Sequence, residues 1–168
     1  MANTYVKIAS TVTVGVLGAS NIEFTSIPST YTDLVVKLSA RNTLADGAVK
    51  ISFNGNSSTG TYRFLQGSGS AASSNSGSAF GYVGNETNSA DTASTFGSFD
   101  IYIPNAFGTT QKSISTDNVT ENNGTTAYAT LLATLVNLTS AITSLKLEPS
   151  ANSFAQYTTA SLYGISKS

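Results

Sequence analysis

The chain has 168 residues with no histidine and no cysteine, a formal net charge of -1, and only 10% charged residues against 40% hydrophobic ones. Missing histidine removes the side chain that ordinarily titrates near neutrality, and missing cysteine removes thiolate nucleophiles, disulfides and thiolate metal ligands. Lys37, Arg41, Lys50, Arg63, Lys112 and Lys146 stand singly, so no basic stripe exists to release counterions from nucleic acid, and near-zero charge favours subunit association instead.

The length suits one domain with a core that needs no disulfide or metal staple. Residues 1–20 are expected to form an N-terminal strand or arm, and 21–168 a β-sandwich domain. Met1-Ala-Asn-Thr-Tyr-Val-Lys7 lacks a basic segment followed by a long apolar one, and no apolar run reaches the length of a membrane span, which predicts a soluble product without a secretory signal or a membrane partner. Sequons at Asn56, Asn85, Asn118, Asn123 and Asn137 are read as chance in a chain so rich in Asn, Ser and Thr.

Apolar residues recur with period two, and the breaks carry Gly, Asn, Asp, Ser or Pro, which predicts short strands joined by turns. The first are expected at 5–8, 12–16 and 22–24. In Asp33-Leu-Val-Val-Lys-Leu-Ser39, Leu34, Val36 and Leu38 share one face; in Val49-Lys-Ile-Ser-Phe53, Val49, Ile51 and Phe53 do. Asp46-Gly47 and Asn54-Gly55 supply turns after these strands. A strand at 61–66 follows, and then the low-complexity stretch 66–78, with almost no side chain fit for a core. A Gly/Ser-rich surface loop near 66–79 is the expectation there, whether mobile, packed on a neighbour or holding a ligand.

Further strands are expected at 99–103, 112–119, 127–136, 142–147 and 160–165. Segment 127–136 is rich in Ala and Leu and admits a helix, but a strand is preferred, with Ala127, Ala129, Leu131, Ala133 and Leu135 on one face. The opposite face carries Tyr128, Thr130, Leu132, Thr134 and Val136. Both faces are mostly apolar, so the strand is either central or covered by a neighbouring subunit. The whole pattern predicts an all-β, antiparallel, jelly-roll-like sandwich of one domain.

Little chemistry survives this composition. Two carboxylates suffice for glycoside hydrolysis, and Asp117 with Glu121 is the closest pair; Asp117, Asn118, Glu121 and Asn122 also offer oxygen donors for calcium. Both sets are read as ordinary solvated turn residues, since the spacing matches no EF-hand loop and nothing in the sequence places an aromatic sugar platform beside the acids. Gly67-Ser-Gly-Ser-Ala lacks the Gly-Lys-Ser/Thr ending of a phosphate loop, and no serine-nucleophile motif occurs. No catalytic, cofactor or metal residue is assigned and no enzyme activity is expected. Tyr31, Tyr62, Tyr82, Tyr102, Tyr128 and Tyr157 are the candidate interaction residues, because tyrosine joins a rigid apolar body to a polar tip.

Four stretches carry a resemblance: Ile27-Pro-Ser-Thr-Tyr-Thr-Asp-Leu-Val-Val-Lys-Leu-Ser-Ala-Arg41; Ile51-Ser-Phe-Asn-Gly-Asn56 with Tyr62-Arg-Phe-Leu-Gln-Gly67; Ile142-Thr-Ser-Leu-Lys-Leu147; and Ser161-Leu-Tyr-Gly-Ile165. Together, over roughly 22–165, they resemble small virion structural proteins of tailed bacteriophages. The resemblance implies a non-enzymatic capsid decoration or cement protein without cofactors, forming a homotrimer on the phage major capsid protein of a virion assembled in the host cytoplasm. A carbohydrate-binding head or tail appendage that recognises a host surface glycan is the alternative it implies.

Overall fold

The computed structural model describes residues 5–45, 47–56, 60–124 and 127–166. Asp46 of the expected Asp46-Gly47 turn and residues 1–4 of the expected arm lie outside them. The strands are β1 (Tyr5–Lys7), β2 (Val12–Thr13), β3 (Ile22–Phe24), β4 (Asp33–Ala40), β5 (Ala48–Phe53), β6 (Gly60–Gly67), β7 (Ala72–Ala79) and β8 (Tyr82–Asn85). They continue with β9 (Gly97–Ile103), β10 (Lys112–Val119), β11 (Ala129–Val136), β12 (Leu145–Pro149) and β13 (Thr159–Ile165), and the described residues contain no helix.

These strands make an all-β sandwich of two antiparallel sheets. The larger runs β1-β13-β4-β9-β10-β11-β6-β7, with β2 beside β1 on β13; the smaller runs β3-β12-β5-β8. Setting aside β6–β7 and β10–β11, the chain switches sheet at each step from β2 to β5 and again from β8 to β13. The resulting orders, β2-β13-β4-β9 over β3-β12-β5-β8, are those of a jelly roll with its paired Greek keys. The remaining four strands, β10, β11, β6 and β7, extend the large sheet past β9.

Alternation decides which face is buried. Phe99, Ile101 and Ile103 of β9 and Leu34, Val36 and Leu38 of β4 point inward, each at most 3% exposed. They pack in one cluster with Ile51 and Phe53 of β5, Leu145 and Leu147 of β12, and Ile22 and Phe24 of β3. Beyond β9 the inward positions mix apolar Ile114, Leu132 and Val136 with polar Thr116, Asn118, Thr130 and Thr134, where β8 of the small sheet packs against β10 and β11. Lys112 is buried at the start of β10, where Nζ donates to the carbonyls of Gly108 (2.6 Å) and Thr110 (2.9 Å), and burial lowers its pKa.

Local chemistry places the crossings. Asn54 and Gly55 take φ of 54° and 70°, and Asn56 N donates to Phe53 O at 2.8 Å; this is the left-handed pair that a two-residue reversal requires. Asn54 Oδ1 also accepts from Thr143 N (2.7 Å) and Ser144 N (3.1 Å), tying the turn to the chain ahead of β12. Gly164 is needed on β13 because the Tyr31 ring lies on it: a Cβ there would sit 2.4 Å from Tyr31 Cγ. Asp33 accepts from Asn105 N and from the Tyr102 hydroxyl, both at 2.8 Å, so it serves the turn after β9 rather than its own.

Most strand expectations hold within a few residues, and the expected 127–136 strand is found as β11, Ala129–Val136, with the two faces expected. Its alternation runs from exposed Ala129 to buried Val136. The stretch near 66–79 is different: instead of a loop it forms a hairpin, β7 pairing with β6 from Gly67↔Ala72 to Gly60↔Ala79. Its serines carry no hydrophobic period, and the strand arises from main-chain pairing alone. The β8 strand was likewise not foreseen, since Tyr82-Val-Gly-Asn85 is short and interrupted by Gly84 at φ 127°. Of the described residues of the expected N-terminal arm, 5–7 and 12–13 lie along β13 as β1 and β2, and Ala19 bridges Phe154.

Candidate interaction face

No described element covers the outer face of the large sheet. Paired residues share a face, so the registers give its rows directly. One row passes from Lys37 through Asp100, Asp117 and Leu131 to Leu65 and Ser74. The next passes from Tyr163 through Val35, Tyr102, Ser115 and Ala133 to Arg63 and Ser76. The face thus divides into a charged and aromatic half on β13, β4 and β9, and an apolar half on β11 and β6.

In the apolar half Leu65 and Leu131 are direct cross-strand partners and remain 62% and 58% exposed. Two shallow hollows meet at this pair: one also takes in Arg63, Ser74 and Ala133, the other Ala129, Asp117 and Ser73. Fully removing a leucine side chain from water is worth about 1.5–3 kcal/mol, so two opposed leucines on a flat face form an adhesive centre.

In the charged half Lys37 pairs with Asp100, and this bond raises the lysine pKa. Asp117 stands opposite Asp100. Tyr5 and Tyr163 stack at 4.9 Å between centroids. The Tyr102 hydroxyl is held by Asp33, which raises its pKa. Asp100 and Asp117 line a shallow hollow on the open outer face with Tyr5, Lys37 and Tyr102. This arrangement suits the polar rim of a contact surface.

The sequence-derived candidates are dispersed. Tyr102 is on the outer face. Tyr62 and Tyr82 meet on the other side, ring centroids 4.9 Å apart, where β6 overhangs β8. Tyr31 covers Gly164; the main chain of Tyr128 pairs with Thr120 past the end of β10; and Tyr157, at φ 71° and 66% exposed, binds Val14 O through its amide ahead of β13, at the same end of the large sheet as Tyr128. Asp117 and Glu121 do not converge, since Glu121 Oε1 accepts from Asn123 N at 2.7 Å in a local turn. Of the calcium donors, Asn118 points inward and bonds both Asn85 and Ser98. The described residues hold no group of three or more potential metal ligands drawn from His, Cys, Asp and Glu.

Leu65 and Arg63 were missed as site residues because Phe64-Leu65 sets two apolar residues side by side and hides the outward period. Leu131 had a signal: both faces of its strand read as apolar.

Tyr82 supplies a pH test of the overhang. Burial, and secondarily Tyr62, pushes its pKa up to about 12, whereas an unfolded tyrosine titrates near 10. Between those values the unfolded chain binds fewer protons than the folded one, so stability falls as pH rises through the window. In Tyr82→Phe that part of the alkaline loss is expected to vanish, read as urea midpoints at about pH 9 and about pH 11.5. An unchanged alkaline slope would contradict the burial assigned to this ring.

No family model, curated protein or solved structure matches this chain.

Proposed function

We propose that this protein is a non-enzymatic structural component of a tailed-phage virion, a decoration or cement protein that binds the major capsid protein through the outer face of its large sheet. The observation that carries the reading is the exposed Leu65–Leu131 pair, centred on an extension that the jelly roll itself does not need. The four stretches that resemble virion proteins support the same assignment, and they are also what supports a homotrimer. In mechanism the protein adds buried area across shell junctions: the leucines lose water, while Lys37, Asp100, Asp117 and Arg63 form a hydrated rim. Stable interfaces bury roughly 1,200 Å² or more in total, which a broad, uncovered sheet face can supply.

The test uses phage particles stripped of this protein and re-decorated with purified chain. Parent protein is expected to bind the head lattice and to raise the temperature at which particles release their genome. Leu131→Asp and Leu65→Asp place a charge on the adhesive centre and are each expected to weaken binding at least ~10-fold, with circular dichroism unchanged because both side chains are exposed in the free protein. Undiminished binding by both variants, or density confined to the tail tip, would remove the assignment.

A further inference from the structure

Each sheet has two margins, and three of the four are closed to strand addition. In the large sheet one margin is β1 and β2, only 3 and 2 residues long. In the small sheet, β3 has 3 residues with exposed Glu23 at its centre. At the other margin β8 has 4 residues, a register shift against Val49/Lys50, and Gly84 packed under the Asn118 side chain. Short length, charge and bulges are the devices by which sheets avoid pairing with other chains. The remaining margin, β7, has none of them. It is 8 residues of Ala-Ser-Ser-Asn-Ser-Gly-Ser-Ala, without charge or proline, and pairs with β6 in an unbroken register.

The direction of its free groups follows from the turn. Ser68 N donates to Ala71 O at 2.9 Å, so the bonded pairs of the ladder alternate from there as Gln66–Ser73, Phe64–Asn75, Tyr62–Gly77 and Gly60–Ala79. The N–H and C=O groups of Ala72, Ser74, Ser76 and Ser78 therefore point away from β6. Asn75 Oδ1 takes the Ser76 N–H at 2.7 Å, and no described group bonds the outward amides of Ala72, Ser74 or Ser78.

We infer that β7 is a self-association edge, pairing antiparallel with β7 of a second copy about a two-fold axis at Asn75. In that register Ala72 faces Ser78 of the second copy and Ser74 faces Ser76 of the second copy. Every outward residue then finds a partner, giving up to about six main-chain hydrogen bonds while Asn75 Oδ1 holds the Ser76 N–H of each copy, and up to about eight once it releases them. A two-fold contact needs one surface complementary to itself, and this strand meets the condition: small side chains on both sides, no charge to repel, and an Asn on the axis that both donates and accepts. A second copy is preferred over a foreign strand because the whole complement is present in the chain.

The pairing does not depend on the proposed function. If that function holds, the contact sets the Leu65–Leu131 centres of two copies on one side of a continuous sheet and doubles the docking face.

Sedimentation equilibrium over a micromolar concentration series tests the edge. The parent is expected as a dimer, or as a hexamer if three-fold association also operates. Ser74→Pro removes an outward donor and leaves the β6 ladder intact; it is expected to weaken self-association at least ~10-fold without changing circular dichroism. Asn75→Lys keeps the main chain and sets like charges across the axis, with the same expected result. Should Ser74→Pro fail to fold, Asn75→Lys decides, together with exchange of the parent's Ser74 amide, which must slow as concentration rises. A parent that is monomeric, a trimer that neither substitution alters, or a dimer indifferent to both would overturn the inference. Leu131→Asp should leave the dimer intact, so loss of particle binding and loss of edge pairing are read separately.

Discussion

Gly81→Ala is expected to destabilise the protein by about 2–5 kcal/mol, the combined cost of a left-handed alanine and an unrelieved contact. Gly81 links β7 to β8, where the chain leaves the large sheet for the small one. It sits at φ 52°, and its carbonyl accepts the Ile51 amide at 2.8 Å. A Cβ would lie 1.9 Å from Ile51 O, a main-chain atom held in β5 that cannot step aside. The alternatives to unfolding are loss of the Ile51 bond or detachment of β8, and either one uncovers the inner side of β10 and β11. Gly55→Ala is the control, because φ is also positive there, at 70°, but nothing lies within 4 Å. That change should cost only about 1–2 kcal/mol. Denaturant melts of the two variants separate conformational strain from collision, and equal losses would show that the approach to Ile51 carries no penalty.

Phe154→Ala is expected to cost about 3–5 kcal/mol, the usual range for an emptied aromatic site in a core. For a domain of this length that lowers Tm by roughly 10 °C. Phe154 is fully buried at the end of the sandwich, where three connections meet. Its main chain exchanges hydrogen bonds with Ala19 (2.8 and 3.1 Å), ahead of β3, and bridges Asn42, after β4. The ring therefore joins chain segments that the sheet ladders leave separate. Tyr157→Ala, three residues on at an exposed position, should fall within about 0.5 kcal/mol of the parent. A Phe154→Ala loss below about 1 kcal/mol would mean that this end of the sandwich is not close-packed.

The way these elements emerged explains what was legible. β9 was readable because one face is packed and the other largely wet, which prints a two-residue period on the chain; Leu34, Val36 and Leu38 print the same period on β4, although outward Val35 is buried as well. β7 was not, because a strand held only by its main chain selects no side-chain pattern. Asn54-Gly55 was readable as a reversal because its dihedrals demand those residue types. The chemical reason for Asp33 was not, since its partners Tyr102 and Asn105 are about seventy positions away. The six tyrosines share a chemistry legible in the chain, and the fold scatters them. Leu131 was suspected as a covered position, but its partner Leu65 became visible only through the β11–β6 register.

Composition and periodicity alone established an all-β packing unit with no histidine or thiol chemistry, because histidine and cysteine are absent from the chain and burial on one side of a strand leaves its mark locally. Strand order, the open β7 margin and the uncovered outer face depend on pairings between distant segments. No local preference encodes those: which strand meets which is chosen by the summed burial of the whole sandwich, and a surface left over from that choice has no signature of its own along the chain.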